Sequence, residues 1–313
     1  MSDRVAAAVV GVGHLGRHHA RLYAASGEAD LVAVVDTDAK RAKSIAAEYG
    51  CEALTEIEAL DDRVRAVSIA VPTVAHREVA ERLLRSGMDV LIEKPIASTL
   101  EEADAINNIA RESGRIVMVG HTERFNPAMI ALAEAVDEPR FFEIHRLAGF
   151  TARSTDIDVV LDLMIHDLDL LLKFDGSDAV SVDAMGMAAL TDKLDIANAR
   201  IRMASGCVAN ITASRISAEA VRRIRVFQSR TYLSCDTAAR KVERYRLTTG
   251  NGGTPSIEHD RLAVEDTEPL ANEIAAFLDA VRTRETPSID GVQGRRVLEL
   301  AFRVGRSIAE SMA

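Results

Sequence analysis

Hydrophobic positions along the chain follow two different rhythms. Between residues 5 and 119 short β-branched runs alternate with helical periodicity. The runs "VAAAVV" at 5–10, "LVAVV" at 31–35, "AVSIAV" at 66–71, "DVLI" at 89–92 and "RIVMV" at 115–119 are separated by helical stretches at 14–26, 38–49, 74–87 and 98–114. Such alternation marks βαβ units and a parallel sheet. Gly27, Gly50, Gly87 and Gly114 each follow a helical stretch, where a left-handed C-cap favours glycine.

Beyond residue 120 the pattern changes to a helix near 127–136, a strand "RFFEIHRLA", a second helix, and then strands in succession. These read "VSVDAMGMAAL", "DIANARIRM", "CVANITASR", "RRIRVFQ", "TYLSCD" and "ARKVERYRL". Strands that follow one another without intervening helices predict a largely antiparallel sheet. "TTGNGGTPS" at 248–256 reads as a flexible loop, and helices at 269–284 and 291–312 close the chain. The expected fold is α/β: a doubly wound parallel Rossmann sheet over residues 1–122, then an α+β domain over 123–313 with a large, mostly antiparallel open sheet.

The second helix after residue 120 holds a puzzle, "LDLMIHDLDL" at 161–170. At about 100° per residue, Leu161, Met164, Ile165, Leu168, Leu171 and Leu172 share an apolar arc, while Asp162, His166 and Asp169 gather on another. A solvated face with Lys173 as a salt-bridging member is the plain explanation. Alternatively, Asp162 orients His166 one turn away so that the imidazole can take a proton from a substrate. A carboxylate and an imidazole at this spacing could also ligate a metal.

Composition narrows the function. The 313 residues carry a formal net charge of −10, which repels phosphate backbones, and no nucleic-acid partner is expected. The basic strand "VRRIRVFQ" at 221–228 reads as a solvated or subunit-facing surface. Cys51, Cys207 and Cys235 lie far apart in an odd total, against a disulfide framework or a structural zinc site. Neither a signal peptide nor a membrane span is read, so a cytoplasmic location is expected.

"GVGHLG" at 11–16 directly follows the first strand and opens the first helix. Gly11 permits the tight turn, Gly13 lets backbone approach a pyrophosphate, and Gly16 lets helix pack on strand, with His14 and Leu15 in the same loop. Asp36, ending the second strand twenty residues after Gly16, is placed to accept hydrogen bonds from the adenosine ribose. A 2′-phosphate would meet a like charge there, which favours NAD over NADP, although Arg41 leaves some room for the latter. "VPTVAH" at 71–76 and "EKP" at 93–95 follow two further strands, at the sheet edge where such folds bind ligands. Pro72, Thr73, His76, Glu93 and Lys94 are therefore candidate cofactor contacts. Lys94 is in addition a candidate proton donor or electrophile for a carbonyl or hydroxyl.

With these motifs in order, together with "GHTERFNP", "DLMIH" and "EPLANEIAAFLDAV", the chain resembles the Gfo/Idh/MocA oxidoreductases over essentially its whole length. The resemblance implies an NAD(P)-dependent dehydrogenase of sugars, inositols or sugar nucleotides, with a second-domain sheet that supports a homodimer or homotetramer. It implies Lys94 as catalytic lysine with a cis peptide before Pro95, and Asp162 and His166 as the D-x-x-x-H pair, His166 being the general base. No family role falls on Asp169. The family often has glycine just before this histidine, where Ile165 stands here. The segments "DVVLDLMIHDLDLLL", "DIANARIRMASGCVANITASRIS" and "RRIRVFQ" resemble the UDP-N-acetylglucosamine 3-dehydrogenase group of that family, whose product feeds an aminotransferase in lipid A biosynthesis. That likeness points to Arg124, Asn126 and Arg153 as substrate contacts. For each of these the bland alternative is a loop salt bridge or a helix cap. An inositol or free-sugar substrate, or a dinucleotide-sensing role without turnover, are the other readings; metal dependence is not expected.

Overall fold

Strands buried on both faces demand near-continuous apolar runs, and the first unit is built on them. The computed structural model describes residues 4–151, 157–249 and 254–312. Strands β1 (Val5–Val10), β2 (Ala29–Val35), β3 (Glu52–Leu54), β4 (Ala66–Ile69), β5 (Asp89–Glu93) and β6 (Val117–Gly120) form one sheet in the order 3-2-1-4-5-6. Every pairing in it is parallel. This is the doubly wound dinucleotide-binding order. β4 and β5 are buried at every position because crossover helices cover both faces. The crossover helices of this unit are α1 (Gly16–Ala25), α2 (Ala39–Tyr49), α3 (His76–Arg85) and α4 (Leu100–Ser113).

Helix ends follow local chemistry. Asp38 caps α2 through the N–H groups of Lys40 and Arg41, and Thr99 caps α4 through Glu102 N–H. Gly50 and Gly114 end these helices in the left-handed conformation, and Gly87, at φ 86°, lies one residue past the C-cap of α3. Gly27 does not act this way. Helix α1 ends instead at an extended Ser26. The three-residue β3 is an element that the periodicity of the sequence does not reveal.

In the second unit α5 (Pro127–Ala133), β7 (Phe141–Leu147), a π-helical turn (Val160–Met164) and α6 (Ile165–Asp175) precede seven strands. These are β8 (Ala179–Met187), β9 (Ile196–Met203), β10 (Val208–Ser214), β11 (Val221–Gln228), β12 (Thr231–Asp236), β13 (Lys241–Thr249) and β14 (Pro255–Arg261). The eight strands run in the order 14-13-12-11-7-10-9-8, antiparallel throughout except between β7 and β10. Alternation is strict in β9, exposed then buried at each step, so one face is packed and the other is open. The packed face shares one core with Met129, Leu132, Met164, Leu168, Leu171 and Val304. On the other side Phe227, Tyr232, Tyr245 and His259 stack across four neighbouring strands.

Two expectations are corrected here. The segment read as a loop at 248–256 contributes to a hairpin of β13 and β14; its centre, 250–253, lies outside the described residues. "PSIEHDR" was not recognisable as a strand because six of its seven residues are exposed, which removes apolar alternation. The domain division also differs. One compact unit comprises 1–122 with 270–296, the other 123–269 with 297–313. Helix α7 (Pro269–Thr283) and the start of α8 (Gly291–Met312) return to the first unit because Val119 N–H bonds Ile289 O, Asn107 bonds Gly291 O, and Arg284 pairs with buried Asp89. Gly294 permits this approach, since a Cβ there would lie 2.5 Å from a Val119 methyl.

Asp195, buried at the start of β9, organises the turn before it. Its carboxylate accepts the main-chain N–H groups of Ala189, Leu190 and Thr191 and pairs with Arg215. Burial opposes the charge, but these donors outweigh it and hold the group well below the usual carboxylate range. A depressed folded pKa contributes stability above the unfolded value, about 3.9, that is lost as pH falls. Asp195→Asn is therefore expected to lower the melting temperature at neutral pH, with the gap to wild type closing in acid. A constant gap across a pH series of thermal melts would refute this origin.

Candidate active site

Because the first sheet is parallel, the segments after β1, β2, β4 and β5 emerge at one edge. Gly11 turns there at φ 83°, and its N–H bonds Val35 O. A Cβ on Gly16 would lie 1.8 Å from Gly11 O, so no other residue lets α1 approach the loop this closely. Gly13 differs: a Cβ there meets nothing within 4 Å. The protein's own packing does not require glycine at 13, and a cradle left open beside a helix start suits a pyrophosphate. Residue 15, at the N-cap of α1, is a leucine and offers no side-chain bond to the first helical N–H groups. His14 and Leu15 are exposed, as is Pro72, and Thr73 is half-buried.

Asp36 is buried at the tip of β2. Its Oδ2 accepts Val12 N–H at 3.0 Å, its Oδ1 accepts Asp38 N–H at 2.9 Å, and Arg41 approaches both oxygens at 3.2 Å. The helix-capping duty falls on Asp38 alone, while Asp36 braces the glycine loop. Arg41 spans both carboxylates, which offsets part of their charge.

The peptide between Lys94 and Pro95 is cis, and Lys94 is half-buried. His76 is buried with Nδ1 3.0 Å from Pro95 O and Nε2 3.0 Å from Val71 O, tying the two loops together through its own ring. Burial pushes its imidazole below the ordinary value, against the pull of these carbonyls and of Glu93. Glu93, also buried, accepts His19 Nε2 at 2.9 Å and Lys94 N–H at 3.3 Å. His19 continues to Ser68 at 3.0 Å, and Ser68 to Tyr23 at 2.9 Å. The only mark His19 leaves in the sequence is that of a polar residue on the buried stripe of α1 with Tyr23.

In the second unit the puzzle of "LDLMIHDLDL" resolves into two kinds of aspartate. Asp167 and Asp169 are buried and face arginines distant in sequence. Asp169 takes Arg124 through Nε at 2.9 Å and Nη2 at 2.6 Å, and Asp167 takes Arg146 at 2.9 and 2.7 Å. Arg146 also binds Glu123 at 3.0 Å. Burial lifts the Asp167 carboxyl above its usual range despite Arg146, whereas Glu123, slightly exposed, is held below it by the same guanidinium against its desolvation. Asp169 is thus no part of a solvated face. Lys173 is half-buried, and desolvation with nearby Arg124 depresses its ammonium against the pull of Asp169.

Asp162 and His166 remain on the less buried side, both half-exposed while Met164, Ile165 and Leu168 between and beside them are fully buried. Asp162 sits in the π-helical turn, capped by Asp158 through Val160 and Leu161 N–H, and His166 in the first turn of α6. Such π turns concentrate at functional sites. Of the three expected substrate contacts, Arg124 is occupied by Asp169, and Asn126 caps α5 through Ala128 N–H. Arg153 lies outside the described residues. Among the described residues no three His, Cys, Asp or Glu side chains gather as a metal site requires, and no helix is long and apolar enough to cross a membrane.

A glycine cradle on a 3-2-1-4-5-6 sheet, an acidic residue at the tip of β2 and a separate open-sheet unit define a dinucleotide-dependent oxidoreductase. The family model for the oxidoreductase family with NAD-binding Rossmann fold matches residues 5–121, and that for the GFO/IDH/MocA C-terminal domain matches 136–234. The UDP-N-acetylglucosamine 3-dehydrogenase of Acidithiobacillus ferrooxidans is 43% identical over 298 residues, 95% of each chain. The inositol 2-dehydrogenase of Rhizobium meliloti is 32% identical over 322 residues, 96% of each. A solved structure of the Acidithiobacillus enzyme superposes with a TM-score of 0.91 at 42% identity, covering 97% of this chain and 98% of that one. The chain belongs to the Gfo/Idh/MocA oxidoreductase family and carries its NAD-binding domain.

Proposed function

We propose that the protein oxidises the C3 hydroxyl of UDP-N-acetylglucosamine with NAD. The observation that carries this is 43% identity across nearly the full length of a dehydrogenase of that substrate, against 32% for the inositol enzyme. The glycine cradle, Asp36 and the loops at 71–76 and 93–95 would hold NAD, which supplies the hydride acceptor when bound. His166 removes the hydroxyl proton, Asp162 keeps the imidazole in the tautomer able to accept it, and Lys94 donates a hydrogen bond to the oxygen as negative charge develops. Arg124 and Asn126 shape the substrate region through Asp169 and the α5 cap.

A ketone formed in this way suits an aminotransferase, the succession expected in lipid A precursor synthesis. We place the enzyme in the cytoplasm, where its unpaired cysteines would stay reduced. We also propose a homodimer or homotetramer through the open sheet face, on which Met185, Met187 and Ile257 are exposed.

The test follows nicotinamide absorbance with NAD and UDP-N-acetylglucosamine in the presence of a coupled aminotransferase, beside inositol, free glucose and NADP. NAD reduction with the UDP-sugar alone is the expected result. Activity restricted to inositol or glucose would discard the nucleotide-sugar substrate.

A further inference from the structure

We infer that His19 is a positioning residue for Lys94, acting through Glu93. This rests on the role of Lys94 proposed above. Four buried polar groups link the helix behind the glycine cradle to the strand that delivers the lysine, and their hydrogen bonds have one consistent direction with a neutral imidazole. Tyr23 O–H donates to Ser68, Ser68 O–H to His19 Nδ1, and His19 Nε2–H to Glu93 Oε1, while Lys94 N–H reaches Glu93 Oε2. The chain ends on a carboxylate whose two oxygens hold the first helix and the lysine's own backbone.

The site is shaped for a charged Glu93. Gly120 on β6 makes room for it, since a Cβ there would crowd the carboxylate at 3.3 Å. Glu93 faces His19 from α1, His76 from the start of α3, Lys94 beside it in the chain, and glycine on β6; Glu273 of α7 acts on Tyr23 at the far end. Burial alone would raise the carboxyl, but the hydrogen bond from His19, with the charge and backbone N–H of Lys94, holds it below the ordinary value. An anion beside Lys94 favours the ammonium, which is the form that can donate to a developing alkoxide. Without His19, a buried carboxylate that loses its partner takes up a proton, and that support disappears.

The experiment compares wild type, His19→Leu, His19→Gln, Glu93→Gln and Lys94→Ala, using the sugar substrate that wild type turns over and recording kcat and KM against pH. His19→Leu is expected to lower kcat about tenfold or more, leave the KM for NAD within about twofold, and move the alkaline limb of kcat down by about one pH unit. His19→Gln, which keeps an N–H donor, is expected to restore most of the limb. Glu93→Gln, which keeps an acceptor for His19 but removes the charge, must move the limb as leucine does, and decides the matter if the leucine variant does not fold. An unmoved limb in a folded His19→Leu or in Glu93→Gln overturns the inference while Lys94→Ala remains inactive. Full turnover in Lys94→Ala would instead remove the lysine, and the inference with it.

Discussion

Alanine at position 166 is expected to lower kcat by about 10²–10⁴-fold, the usual worth of a positioned general base. NAD affinity should be unchanged, because the groups proposed to hold NAD are the cradle, Asp36 and the loops at 71–76 and 93–95, and His166 is not one of them. Helix α6 should also keep its place, since His166 is half-exposed and the helix is anchored by fully buried Ile165, Leu168 and Leu171 and by the paired Asp167 and Asp169. Steady-state turnover and NAD titration by calorimetry separate these effects. Turnover near that of wild type would remove His166 from the chemistry. Asp162→Asn should lose less, because it disturbs the orientation of the base and leaves the base itself.

The largest expected loss of stability is that of Arg146→Ala. The guanidinium is the shared partner of Asp167 and Glu123; Arg146 and Asp167 are buried, and Glu123 is only slightly exposed. Breaking a buried pair by deleting one partner costs about 3–5 kcal/mol, and here two carboxylates are stranded together. In the variant both would have folded pKa values above their unfolded ones, so ionisation disfavours the folded state. The deficit should therefore be present at neutral pH and shrink below about pH 4, where the unfolded carboxyls also hold their protons. Urea midpoints of wild type and variant across pH measure it. A midpoint near that of wild type at pH 7 would mean that water reaches these groups and the buried triad is not an energetic unit.

How much of this was legible in the sequence depends on the range of the interaction. The parallel strands and their helices could be located because a buried strand and a half-buried helix each write a short period into the chain, and the same holds for the one-sided strands β9 to β12. The glycine loop and Asp36 were legible because a turn, a close approach and a strand end are local demands. Long-range pairs were not. Nothing near Asp167 signals Arg146, and nothing near His19 signals Glu93, so the buried charges of "LDLMIHDLDL" could be taken for a solvated face. Arg124 and Asn126 carried the ambiguity noted for them, and both are engaged in fixing structure. The π turn around Asp162 writes no period distinct from that of an α-helix.

The return of residues 270–296 to the first unit sets an order on biosynthesis. A ribosome that has released only residues 1–122 has released a sheet still lacking the cover that Ile289, Gly291 and Gly294 provide over β6 and α4, and Asp89 still lacks Arg284. About 147 further residues, the count from 123 to 269, must be made before α7 follows. The nascent nucleotide-binding half waits on the whole intervening sheet, so a shortened gene encoding residues 1–122 alone should yield an aggregation-prone product, unlike a fragment cut from a chain whose halves are contiguous.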